Sequence, residues 1–117
     1  MMNGKRYFLA SVATVAALVL AVFSAGQGKR TFAGRITDDE CPTANHEAMQ
    51  MGPTDAECTL ACVEVHGASL VLYDGEHAYR LSDQEKPKQF AGQKVTITGT
   101  LDSKTSTIQL ESITAAK

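Results

Sequence analysis

Phe90-Ala91-Gly92-Gln93-Lys94-Val95-Thr96-Ile97-Thr98-Gly99-Thr100-Leu101-Asp102 is the stretch that decides the fold. Val95, Ile97 and Leu101 alternate with Thr96, Thr98 and Thr100, the period of a strand with one buried face. Gly99 takes an apolar-face position, where a missing side chain marks a bend or a close backbone approach. Asp102-Ser103-Lys104 turns the chain into a last strand over residues 105–113. The apolar phase of that strand slips between Leu110 and Ile113, which predicts a bulge.

Working back from this pair, residues 69–73 and 76–81 read as two more strands. Asp74-Gly75 between them suits a type I′ hairpin turn, in which both central residues have positive φ. Ser82-Asp83-Gln84-Glu85 matches a capping box, but Pro87 limits any helix there to about one turn. Near the start of the domain, residues 31–37 form a first strand with Phe32 and Ile36 on one face and Gly34 between them. Five short strands with exposed edges have to close on themselves or pair their edges. The predicted architecture is mainly β, a small five-stranded Greek-key barrel with one helix in a cysteine-rich insertion after strand 1.

That insertion, residues 38–66, holds every cysteine of the chain: Cys41, Cys58 and Cys62. It also holds His46, His66, Met49 and Met51, and seven acidic residues with no Lys or Arg through Glu64. Pro42 and Gly52-Pro53 mark loops. Thr54-Asp55-Ala56-Glu57 fits a capping box, with Thr54 as N-cap and Glu57 reaching back to its amide. A helix over residues 55–65 follows, with Gly67 supplying the left-handed residue that ends it. Ala56, Leu60 and Val63 make its apolar stripe, and Cys58, Cys62 and His66 stand on a neighbouring line.

The final strands are similar to the fourth and fifth strands of bacterial OB-fold domains. The order of a glycine-bearing strand, a Cys/His segment and a Cys-x-x-x-Cys resembles small exported bacterial proteins of unassigned function. The resemblance spans most of residues 31–113 and implies an OB-like fold. It brings no activity with it, because a fold does not fix a function.

The compartment follows from the N-terminus. Lys5 and Arg6 precede an uninterrupted apolar run over residues 7–23, and Ser24-Ala25-Gly26 follows with small side chains. A basic, then apolar, then small-residue order is that of a secretory signal, so residues 1–26 are read as a signal peptide. The alternative is an uncleaved N-terminal anchor, in which residues 7–23 are the chain's contact with a membrane. Either way, residues 27–117 form a single exported domain, periplasmic or extracellular. Lys5 and Arg6 account for two of the 11 basic residues, so this domain has nine against 13 acidic ones, a net charge of −4. Such a balance offers no long-range attraction for nucleic acid. A domain this small, without tryptophan, calls for a staple of some kind.

Cys41, His46, Cys58 and Cys62 are the candidate ligands of a soft metal, zinc or copper. Met49 and Met51 are in reserve as thioether donors for copper, and His66 as a further imidazole. The competing reading is a structural disulfide from Cys41 to Cys58 or Cys62, because exported chains meet oxidising conditions. Cys58 and Cys62 themselves make a poor pair. At i and i+4 on one helix their Cβ atoms stand about 5–6 Å apart, whereas a disulfide needs about 3.5–4.5 Å. Under the disulfide reading the protein is a non-enzymatic binding module with a ligand face that includes Tyr79 and Arg80. No Ser-His-Asp set, phosphate-cradling glycine loop or catalytic carboxylate pair occurs, so the chain is not read as an enzyme. Cleavage near Gly26 is expected to leave an exported species beginning near Gln27, which intact-mass measurement from the native host checks; a cytoplasmic full-length chain would rule out export.

Overall fold

The structure, a computed structural model, describes residues 28–117. The signal or anchor expected of residues 1–26 falls outside the described residues, and among those described no helix is long and apolar enough to cross a membrane. The elements run β1 (Lys29–Asp38), α1 (Asp55–His66), β2 (Leu70–Tyr73), β3 (Ala78–Leu81), a 3-10 turn (Lys86–Phe90), β4 (Lys94–Asp102) and β5 (Thr107–Ala115). The five strands close in the order β1-β2-β3-β5-β4, with β4 returning to β1. All pairs are antiparallel except β3 with β5, a short parallel contact of Arg80 with Thr107 and Leu81 with Ile108.

Closure depends on β1, which changes partner along its length. Residues 29–35 pair with β4, and residues 35–38 pair with β2. Arg35 stands at the changeover, opposite both Tyr73 and Lys94. Next to it, any side chain on Gly34 would run into the Tyr73 carbonyl, so glycine is what lets the two strands approach. The interior is filled by Phe32, Ile36, Leu70, Leu72, Leu81, Val95, Ile97 and Ile108. The alternation expected of β4 is present, with Val95, Ile97 and Gly99 buried. The bulge expected in β5 is also present: Thr98 faces Ser112 and Gly99 faces Leu110, so Glu111 is the extra residue.

The β2–β3 connection differs from the expected two-residue turn. The strands stop at Tyr73 and Ala78, leaving a four-residue loop in which only Gly75 has positive φ. The cause is the Asp74 side chain. Its Oδ1 accepts the amides of Glu76 at 2.8 Å and His77 at 2.7 Å, a tie the shorter turn has no room for. Asp83 acts alike on the amides of Glu85 and Lys86 and leads into the 3-10 turn, which takes the place of the single helical turn.

Helix α1 forms where its end signals put it. Thr54 Oγ1 accepts the Glu57 amide at 3.2 Å, and Gly67 ends the helix at φ 66°. The Glu57 carboxylate takes the Thr54 hydroxyl at 3.0 Å rather than the Thr54 amide. The buried face is Cys58, Thr59 and Cys62, not the predicted stripe of Ala56, Leu60 and Val63. Those three are only half-buried, with Val63 touching the main core. The helix lies at the end of the ring and turns its thiol face onto the loop before it, so the loop, not the sheet, selects the covered side.

Backbone hydrogen bonds from His77, then Glu76, hold the Asp74 carboxyl below its ordinary value of 3.8. A depressed folded value means its contribution is complete above that range and is lost as pH falls through it. Asp74→Ala is expected to cost about 1 kcal/mol at neutral pH. The gap from wild type in urea unfolding should narrow as pH drops below about 4.

Candidate metal centre

Asp38 is the last residue of β1 and pairs with Leu70 of β2, so its backbone is held by the sheet. Its side chain is fully buried. Oδ1 accepts the amides of Glu40 and Cys41, each at 3.1 Å, and folds the chain back beneath the strand end. The Thr37 hydroxyl donates to the Cys41 carbonyl at 2.9 Å and closes the same turn. Ala44, left-handed at φ 59°, donates its amide to Cys41 O and sends the chain on toward His46.

His46 enters this turn with its ring buried. Nε2 lies 3.4 Å from Asp38 Oδ2, the oxygen that Oδ1's backbone partners leave free. Nε2 is also 3.4 Å from the Thr59 hydroxyl of α1. Nδ1 lies 3.3 Å from Asp55 Oδ1, at the exposed first turn of the helix. Two carboxylates therefore face the two ring nitrogens. A neutral imidazole carries one N–H and donates to one of them, and Nε2 can instead accept the Thr59 hydroxyl; the carboxylate left without the N–H has a demand for a cation. No Lys or Arg occurs between Asp38 and Glu64 to meet that demand.

Cys41 completes the group. One donor atom each from Asp38, Cys41 and His46 lies within 4.8 Å of the others, and all three residues are buried. Zinc bonds of about 2.0–2.3 Å in a tetrahedron put donors about 3.3–3.8 Å apart. The His46–Asp38 pair already has that spacing, so the triad could hold a metal after an inward shift of about 1 Å. Asp55 on Nδ1 is the kind of outer carboxylate that orients a ligand histidine. An open cavity of about 450 Å³, lined by Asn45, His46, Glu47, Gln50, Asp55 and Cys58 among others, leads in from solvent.

The remaining predicted ligands lie beside the triad. Cys58 donates its thiol to the Met49 carbonyl at 3.0 Å and accepts the Met51 amide at 3.3 Å. The Cys62 thiol meets Met49 Sδ at 3.9 Å. These residues and Ala68 form a small cluster of their own. All three cysteines carry free thiols, so neither pairing of Cys41 is bonded in this structure. Burial, with the negative charge of Asp38 next, pushes Cys62 up to about 12 and raises Cys41 as well. Both sulfurs are thus neutral at pH 7 unless a cation displaces their protons. His66 is exposed in the last turn of α1, away from the cluster. On the strand face, Tyr79 is half-buried with its ring 5.8 Å from Phe32, while Arg80 is exposed. Adjacent strand residues point to opposite faces, and the cation near this aromatic pair is Arg30, 4.5 Å over the Phe32 ring.

Asp38 is the member of this triad that motif spacing missed. The acidic run reads as a solvated face, and Asp38 is instead buried. The signal for it was an acid at a strand end, three residues before a cysteine, in a segment with no basic residue.

A family described as a protein of unknown function, DUF5818, matches residues 63–116. The match covers β2 to β5 and begins inside α1, so Asp38, Cys41, His46, Cys58 and Cys62 all precede it. No curated protein and no solved structure matches the chain. Asp38→Ala should take the carboxylate from the Glu40 amide and leave the Cys41 amide only the Asp38 carbonyl at 3.2 Å, and cost about 1–3 kcal/mol. Urea unfolding of the metal-free protein measures this, and an unchanged midpoint would show that Asp38 does not hold the turn.

Proposed function

We propose that this protein is a small exported domain that binds one zinc or copper ion in the segment between β1 and β2. The observation that carries the reading is the buried triad of Asp38, Cys41 and His46, with the imidazole held between two carboxylates. Asp38, Cys41 and His46 supply oxygen, sulfur and nitrogen, while Cys58 and Cys62 stand outside this group of three. A mixed N/O/S set of this kind suits zinc, and added thiolates favour copper in its reduced form. The acidic surroundings attract a cation and offer it no basic competitor.

We read the architecture as an OB-like Greek-key barrel. The strand order β1-β2-β3-β5-β4, with β3 meeting β5 in parallel, supports it. In such folds the loop between strands 1 and 2 is a favoured binding element, and here that loop carries the whole Cys/His segment. Export, periplasmic or extracellular, rests on the basic, apolar and small-residue order of residues 5–26. A second reading, a binding module of the strand face, is favoured by the Phe32–Tyr79 pair beneath Arg30 and the cavity of about 290 Å³ that they line with Asp74.

Zinc titration of the reduced protein against a chromophoric chelator tests the first reading. Wild type should take up one equivalent. Asp55→Asn should weaken uptake about 10–100-fold by replacing the charged acceptor of Nδ1 with a neutral amide oxygen, and His46→Gln should weaken it further. Stoichiometric binding that is indifferent to both changes, or no binding of zinc or copper at all, would refute it.

A further inference from the structure

The sulfur cluster on α1's buried face is built differently from the triad. The Met49 amide donates to His46 O at 3.3 Å, so the turn that sets the imidazole on Asp38 also sets Met49 over the helix. Met49 then touches both helix cysteines by different atoms. Its carbonyl takes the Cys58 thiol at 3.0 Å, and its thioether stands 3.9 Å from Cys62 Sγ. The Met51 amide holds Cys58 from the other side at 3.3 Å. Cys58 and Cys62 are buried, one helical turn apart on one face, and Met49 is half-buried against them.

The sulfur spacing is that of two donors sharing one ion. Metal–sulfur bonds of about 2.3 Å separate two sulfurs by about 3.8 Å in a tetrahedron and about 4.0 Å in a trigonal plane. Thioether and thiolate together select a soft monovalent d10 ion over a harder divalent one. Asp38, Cys41 and His46 offer the opposite bias, with one oxygen and one nitrogen among three donors.

We propose that Met49, Cys62 and Cys58 form an all-sulfur Cu(I) site beside the triad. The proposal rests on the metal-binding reading of this segment and deepens it by naming the donor set and oxidation state. Copper enters and stays as Cu(I), so no electron is transferred. The Cu–S bonds to Cys62 and Cys58 form as each thiol gives its proton to solvent, Cys58 releasing the Met49 carbonyl, and the Met49 thioether lone pair adds to the same ion to complete a trigonal shell.

The test is paired titration of the reduced full chain under anaerobic conditions. Cu(I) is delivered from a competing Cu(I) chelator and Zn(II) is measured separately, for wild type and Met49→Leu. Leucine keeps the volume and removes the sulfur. Cu(I) affinity is expected to fall at least tenfold in Met49→Leu with Zn(II) affinity unchanged. X-ray absorption of the wild-type Cu(I) form is expected to show sulfur neighbours alone, a readout that needs no variant to fold. Equal Cu(I) affinity in Met49→Leu, or nitrogen or oxygen bound to Cu(I), would overturn the all-sulfur site while retained Zn(II) binding leaves the triad standing. Failure of wild type to bind either ion would instead bring down the metal reading itself.

Discussion

A carboxylate buried at the end of β1 is the constraint on which the rest of this structure depends. Asp38 is tied by its backbone to β2 and by one oxygen to two amides of the next turn. Its other oxygen faces His46. Taking a carboxylate out of water is expensive unless hydrogen bonds or a cation compensate. Backbone amides supply part of that compensation here, and the imidazole, with a proton or a metal, supplies the rest. The insertion is thereby organised around a negative charge that the sheet itself holds in place.

From this anchor the geometry of the insertion follows in sequence. The turn at Cys41 and the left-handed Ala44 bring His46 back under the strand end. His46 in turn reaches Asp55 and Thr59, which fixes where the N-terminus of α1 lies. The helix then has little choice of face. Thr59 points to the imidazole, so Cys58 and Cys62, on the same side of the helix, meet the loop carrying Met49 and Met51. Polar contacts rather than an apolar stripe decide the docking, and all the soft donors collect on one side.

The closed sheet contributes rigidity more than chemistry. β1 is long enough to pair with β4 at one end and β2 at the other, and Gly34 lets it make the change. The residue that ends this strand inherits the precision of both pairings, as a donor on a scaffold element does and a donor on a free loop does not. The short parallel contact between β3 and β5 completes the ring. The family match covers β2 to β5 of this scaffold, while β1 and the residues of the triad lie before it.

What the sequence determined by itself is whatever is encoded locally. The alternation of Val95 and Ile97, the phase slip near Glu111, the Thr54 cap and the Gly67 stop each depend on neighbours a few residues away, and each is present. The gathering of all cysteines with His46 and Met49 was legible as composition alone. Tertiary structure decided the rest. Asp74 lengthens its turn because two amides come within reach of one oxygen. The helix hides its thiols because the loop, not the sheet, covers that side. Asp38 stands among seven acidic residues that look alike in sequence. Only the pairing of β1 with β2 buries it and sets its free oxygen against His46, because burial is a property of what packs around a residue and not of the residue.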